Sequence, residues 1–186
     1  MQNLQGKSIA ILATTGFEQS ELEVPRDKLR EAGAEVHVIS LKPGHIMGWD
    51  KDDWGGPVPV DKTLDSVTAD DYDAIVLPGG QINPDLLRIE PRAIDFIKRF
   101  WTDKKVVAAI CHAPWLLIEA GIANGRKMTS YKSIKTDVIN AGANWEDSAV
   151  VSDQGLVTSR NPGDLDAFCD KIAEEINEGR HERRAA

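Results

Sequence analysis

Cysteine is scarce: two residues, Cys111 and Cys169, in 186. Two thiols in a chain of this size do not make a disulfide framework, so any function they carry belongs to a free thiol in a reducing compartment. No apolar stretch is long enough to span a bilayer, which excludes a helical membrane segment. The opening residues, Met1 to Lys7, contain no apolar core of a signal peptide, and the expected location is the cytoplasm. Positive charge is in deficit. Twenty-two Lys and Arg face thirty Asp and Glu, for a net charge of -8 and a pI near 5.0. That balance argues against nucleic acid as a structural partner and against an anionic membrane surface. Internal repeats are absent, and the length fits one domain with a full core.

Most informative is Val106-Val107-Ala108-Ala109-Ile110-Cys111-His112-Ala113-Pro114-Trp115. A β-branched apolar run stops at a Cys-His pair, and helix-compatible residues follow with Pro114 in a first-turn position. The pattern reads as strand, sharp turn, helix, with Cys111 at the corner in a strained pose. Ala109 and Ala113, two residues to either side, leave room for the tight approach. The helix start is expected to favour a thiolate through its free N–H groups and dipole. A small buried cysteine at a strand end is the plainer alternative.

Around this corner, strands alternate with helices. Strands are expected at Ser8–Ala13, Glu35–Ser40 and Asp73–Leu77, the last ending in Pro78-Gly79-Gly80. A helix is expected from Glu18 to Ala32, kinked at Pro25 and closed by Gly33, with capping boxes from Thr15 to Glu18 or Ser20 to Glu23. Pro84 to Trp101 reads as helix interrupted at Pro91. Lys42 to Thr63, rich in Gly, Pro, Trp and acid, reads as a functional loop or edge hairpin whose Trp49 and Trp54 cover a site or a partner. Arg126–Ser130 reads as a short strand and Ile134–Asn140 as a short helix. Ala149–Val151 and Leu156–Thr158 form an antiparallel pair. The final helix carries Leu165, Phe168, Cys169, Ile172 and Ile176 on its core face. The domain is expected to end at Gly179, leaving residues 180–186, with Arg180, Arg183 and Arg184, as a flexible tail. This is an α/β chain with a mostly parallel sheet covered on both faces, and ligand sites in such sheets lie beyond the carboxyl ends of the strands.

Three candidate segments meet there: Gly16 to Glu21, Gly79-Gly80 and Cys111-His112. Glu18 and Glu21, three apart, share a helix face; they are either solvated first-turn acids or a proton source for sulfur. Gly80 and His112 have backbone N–H groups suited to an oxyanion. The His112 ring either transfers protons or points away, since neighbours on a sharp turn usually diverge. His45 with Asp50, Asp52 and Asp53 matches no metal-binding spacing, and no metal is expected. His37 and His181 read as structural or solvated.

The elbow Ala-Ile-Cys-His-Ala-Pro, together with Leu-Pro-Gly-Gly and Phe-Glu-x-x-Glu-Leu-x-x-Pro in this order, resembles the PfpI family, named for an intracellular protease. That family belongs to the superfamily of the parkinsonism-linked protein deglycase, and bacterial general stress proteins within it are the most similar. The resemblance implies a flavodoxin-like three-layer sandwich related to class I glutamine amidotransferases. It implies Cys111 as an oxidisable nucleophile, Glu21 as the acid touching its sulfur, Glu18 as a second acid, Gly80 and His112 at oxyanion positions, and Tyr131 lining the site. Some members complete a triad with an acid from a neighbouring subunit; Asp85 stands nearest that place, in a segment one residue longer and with Asp for Glu. A homodimer is implied. So is a cofactor-independent glyoxalase- or deglycase-type activity on small carbonyls or glycated proteins. Alternatives are a cysteine peptidase or amidase, and a non-catalytic redox-sensing stress protein.

Overall fold

The computed structural model describes residues 1–182. In chain order the elements are β1 (Ser8–Leu12), β2 (Phe17–Glu18), α1 (Gln19–Glu31), β3 (Glu35–Ser40), β4 (His45–Asp50), β5 (Asp53–Pro59), β6 (Lys62–Thr63), β7 (Ala74–Leu77), α2 (Ile82–Arg88), α3 (Pro91–Thr102), β8 (Val106–Ile110), α4 (Pro114–Glu119), β9 (Lys127–Met128), α5 (Lys135–Asn140), β10 (Asn144–Trp145), β11 (Val150–Asp153), β12 (Leu156–Ser159) and α6 (Leu165–Glu178). The main sheet has the order β11-β12-β8-β7-β1-β3-β6, parallel except for β11.

Strand alternation divides the core between two faces. Ile9 and Ile11 of β1 pack with Leu22 and Leu29 of α1 and with Phe168 and Ile172 of α6. Ala10 and Leu12 point to the opposite face, against Ile97 and Phe100 of α3 and Leu116 of α4. The result is the three-layer, flavodoxin-like α/β sandwich expected from the sequence. Cys169 is fully buried on α6, as its helical register requires.

The capping-box and tail expectations are corrected, and alternatives left open elsewhere are decided. Neither capping box forms at α1: Glu18 is the N-cap with no side-chain cap bond, and Ser20 Oγ instead donates to Glu18 Oε1 at 3.0 Å. The helix runs through Pro25. The segment after Lys42 is an antiparallel hairpin, β4 with β5, bulged between Met47 and Trp49, and joined to the chain through β2. Its glycines make space: a Cβ at Gly48 or Gly55 would collide with the side chain of Gln19, whose Oε1 accepts the Gly56 N–H. His45 lies at one end of β4 and Asp50 at the other, paired across the hairpin with Asp53. A six-residue strand separates them by roughly 16 Å, too far to share one ion. The tail is tethered as far as Glu182. His181 N–H donates to Lys104 O at 3.0 Å, and Lys104 pairs with Glu182. Arg183 and Arg184 lie outside the described residues.

Because β8, β7 and β1 are neighbours, the turns after their carboxyl ends stand side by side. Asn83 binds two of these turns together. Fully buried, its Oδ1 accepts the Thr14 N–H at 2.7 Å, and its Nδ2 donates to Pro78 O at 2.9 Å and Gly79 O at 3.2 Å. Replacing it by Ala strands a buried N–H and two carbonyls. Asn83→Ala is expected to lower unfolding free energy by about 2 kcal/mol in denaturant titration; a loss under about half a kcal/mol would show that the tie is dispensable.

Candidate active site

Cys111 follows the last residue of β8 and has φ of +63°, in the left-handed region that a non-glycine residue enters at a cost of about 1–3 kcal/mol. The pose is held at both ends. Its N–H donates to Ser159 O of β12 at 3.0 Å, and its own carbonyl accepts the Tyr131 N–H at 2.8 Å. The elbow predicted at this position is therefore present, and Ala109 and Ala113 are both fully buried beside it. The sulfur faces a cavity of about 490 Å³ lined by Gly16, Glu18, Glu21, Trp49, Lys51, Gly80, Gln81, Ile82, Cys111, His112, Tyr131 and Pro162. That volume suits a small molecule or a side-chain adduct.

Glu21 projects from the first turn of α1 and has no exposed surface. Its Oε2 accepts the Gly79 N–H at 3.0 Å. Its Oε1, also buried, has no hydrogen-bond partner among the described residues, and the Cys111 thiol and the Gly79 and Gly80 N–H groups lie close enough to the carboxyl to oppose the effect of burial. Burial first, then the negative charge of Glu18, pushes the carboxyl up to about 8. Near neutral pH it carries a proton, beside the thiol. Gly79 must be glycine: a Cβ there would lie 2.6 Å from Glu21 Oε2, 2.7 Å from Ile110 O and 2.8 Å from Cys111 Cβ.

The thiol departs from expectation. The helix beginning at Pro114 has six residues, and Cys111 is 7% exposed. Burial, followed by the charge Glu21 would carry if ionised, pushes the thiol up, whereas the Gly80 and His112 N–H groups oppose this. The short helix is outweighed by desolvation. Sulfur and carboxyl thus behave as a pair holding protons in common. A neutral Glu21 removes the repulsion and offers the thiolate a donor.

The N–H groups of Gly80 and His112 both lie near enough to the sulfur to oppose the effect of burial on the thiol, which makes them the candidate oxyanion-stabilising pair. Gly80 reaches this place with φ of +76° and packs so closely that a Cβ would lie 2.6 Å from Gly16 O. Gly79 cannot join them, because Glu21 occupies its N–H. The His112 ring does not point away: Nδ1 lies 3.1 Å from Cys111 Sγ. Burial alone pulls its pKa below the ordinary histidine value, so the imidazole is neutral at physiological pH. Tyr131 stacks on the ring, with centroids 4.9 Å apart.

The chain brings together Cys111, His112, Glu21, Glu18, Gly80 and Tyr131. It does not bring in Asp85, which is exposed on α2 and does not line the cavity. Reading the sequence missed Lys51, at the hairpin tip with φ of +59°, and Ser133, 3.0 Å from His112 Nε2. Lys51 sits in the hairpin turn and Ser133 beyond Tyr131, and neither has a local motif. At the opposite edge of the sheet, Glu175, Glu178 and His181 could offer a metal three ligand atoms within 4.8 Å of one another, but Glu175 is already engaged by Ser152 and His181.

The raised Glu21 carboxyl has a thermodynamic consequence. Below the ordinary carboxylate value of 4.5 both folded and unfolded chains are protonated. As pH rises to about 8, the unfolded chain releases this proton first, so the folded state loses relative stability over that window. Glu21→Gln removes the loss. Unfolding free energies should favour the variant over wild type increasingly between those two pH values, by a total on the order of a few kcal/mol. Identical pH slopes would mean that Glu21 is not held protonated.

The DJ-1/PfpI family model matches residues 7–175. General stress protein 18 of Bacillus subtilis is 47% identical over 165 residues, 88% of this chain and 94% of that protein. Protein/nucleic acid deglycase 2 of Escherichia coli is 46% identical over 163 residues, 87% of this chain and 93% of that protein. The crystal structure of Drosophila melanogaster DJ-1beta superposes with a TM-score of 0.82 at 32% identity, covering 94% of this chain and 95% of that one. With the elbow, the glutamate turn and the double glycine all assembled at one cavity, and with similarity running nearly end to end, the chain belongs to the DJ-1/PfpI family.

Proposed function

We propose that this protein is a stress-protective thiol enzyme acting on reactive carbonyls: methylglyoxal or glyoxal, free or condensed onto amines and thiols. The observation that carries the reading is the shared position of Cys111 Sγ, the protonated Glu21 carboxyl and two backbone N–H groups at one cavity. The names of the deglycase and stress-protein relatives support it.

With methylglyoxal, His112 Nδ1 accepts the thiol proton and sulfur adds to the aldehyde carbon. The aldehyde oxygen, held by the Gly80 and His112 N–H groups, takes a proton to give a hemithioacetal. Removal of the hydrogen from that carbon and return of a proton to the neighbouring carbonyl carbon convert the adduct to a thioester. Water then displaces the sulfur and lactate leaves. Methylglyoxal plus water equals lactate, so no oxidant or cofactor enters the balance. Glu21, protonated at first, gives its proton to the aldehyde oxygen as the hemithioacetal forms; the carboxylate then takes the hydrogen from that carbon and returns it to the neighbouring one, a cycle that a pKa of about 8 suits near physiological pH.

The proposal includes a homodimer in the cytoplasm. Ile82, Leu86 and Ile89 are exposed along α2, and Ile89 retains 78% of its surface. Such a row on a soluble helix supports a second copy packing there. Asp85 stands on the same helix, so it would meet the partner rather than its own His112.

Lactate release from methylglyoxal should fall at least about a hundredfold in Cys111→Ser. Release equal to wild type would contradict the reading. Peptide hydrolysis that depends on Cys111 without any lactate would transfer support to a peptidase. In sedimentation velocity, wild type should run as a dimer and Leu86→Glu should shift toward monomer; a monomeric wild type would contradict the oligomer.

A further inference from the structure

The far nitrogen of the His112 ring has a partner of its own. While Nδ1 faces Cys111 Sγ at 3.1 Å, Nε2 lies 3.0 Å from Ser133 Oγ. Ser133 belongs to a single 3-10 turn, Lys132–Ile134, directly after Tyr131. Tyr131 donates its N–H to the Cys111 carbonyl. The serine is thus carried by a segment bonded to the nucleophile's own backbone.

Two aromatic rings contact the imidazole as well. Tyr131 stacks on one side, and Trp115 meets the ring at 5.3 Å and 64°. Trp115 is itself fixed by its Nε1–H, which donates to Asp137 Oδ2 at 2.9 Å. With the ring plane set by aromatic contacts, the partner at Nε2 governs which tautomers the ring can adopt.

We propose that Ser133 is the positioning residue that completes a Cys111–His112–Ser133 line within one chain, occupying at His112 Nε2 the place where an acid such as Asp85 from another subunit would otherwise stand. The inference rests on the reading of Cys111 as nucleophile but not on the identity of the carbonyl.

A hydroxyl at this place behaves unlike a carboxylate. It donates or accepts, so it is compatible with either neutral tautomer. When it accepts from Nε2–H, Nδ1 is bare and takes the thiol proton. When it donates to Nε2, Nδ1–H supports a thiolate. A carboxylate permits only the first arrangement and adds a charge that favours the imidazolium. Without that charge, Cys111 and His112 stay a neutral pair until a carbonyl arrives. Cys111 is the titratable group facing the ring from the elbow, Tyr131 faces it from the segment before the 3-10 turn, and Glu21 of α1 acts on it through the sulfur. Asp137 of α5 and Arg88 of α2 contact Trp115. Lys132 neighbours Ser133 in the chain.

The test uses full-length Ser133→Ala, Ser133→Thr and Ser133→Asp with two measurements that need no natural substrate. One is the rate of Cys111 alkylation by iodoacetamide against pH, read by peptide mass; buried Cys169 serves as the unreactive reference. The other is the titration of the His112 ring by nuclear magnetic resonance. Ser133→Ala should slow alkylation roughly two- to tenfold, the loss of one hydrogen bond, and Ser133→Thr should restore it. Ser133→Asp should raise the His112 midpoint by about a unit and carry the alkylation profile with it. Both profiles unchanged in Ser133→Ala and Ser133→Asp would overturn the proposal, and so would slowing in Asp85→Asn without slowing in Ser133→Ala. If both profiles move with Ser133 while methylglyoxal is not consumed, the line stands and the carbonyl reading falls.

Discussion

The structure depends on one buried contact, the Glu21 carboxyl against the Cys111 sulfur. Neither group would be stable there alone. A carboxylate with no water around it and Glu18 nearby keeps its proton, and a thiol with 7% exposure resists giving one up. Placed together they are coupled: the thiol pulls the carboxyl's pKa down against burial, while Glu21 pushes the thiol further up. The packing around the pair is so close that Gly79 leaves no room for a methyl group.

Holding that pair costs backbone strain at Cys111, and the surrounding fold offsets it. The residue's N–H is tied to β12 and its carbonyl to Tyr131, so the left-handed pose is fixed from two independent strands of chain. The sheet order places the β1 and β8 turns on either side of the β7 turn. Glu21 enters from the first, Gly79 and Gly80 from the second, and Cys111 and His112 from the third. Asn83 then bonds the first two turns to each other. Stability and chemistry therefore share the same few hydrogen bonds.

Much of this was legible in the residues. Short apolar runs located β1, β3, β7 and β8, and the apolar-to-Cys-His break with Pro114 located the elbow, because strand burial and a proline-started helix are local properties. Phe17 to Pro25 and the double glycine were readable through the family resemblance more than through spacing. The thiolate expectation failed for a reason no local pattern displays: desolvation depends on what packs over the sulfur, which comes from α1 and the β7 turn. The His112 orientation stayed open between two alternatives, because the contacts that decide it, Tyr131 and Trp115 against the ring, are not local in the chain. Ser133 and Lys51 reach the site through loops whose course only tertiary packing defines. The missing capping boxes show the same override, with Ser20 turned to Glu18 rather than to the backbone.

The central claim is that Glu21 is a neutral acid beside sulfur at physiological pH. Infrared difference spectra of wild type against Glu21→Gln test it most directly, through the carbonyl stretch of a protonated carboxyl group in a dry site. The band should be present two pH units below the midpoint of about 8, vanish two units above it, and be missing from the variant throughout. Wild-type and variant spectra that coincide in that region at every pH would show Glu21 already ionised and would contradict the account.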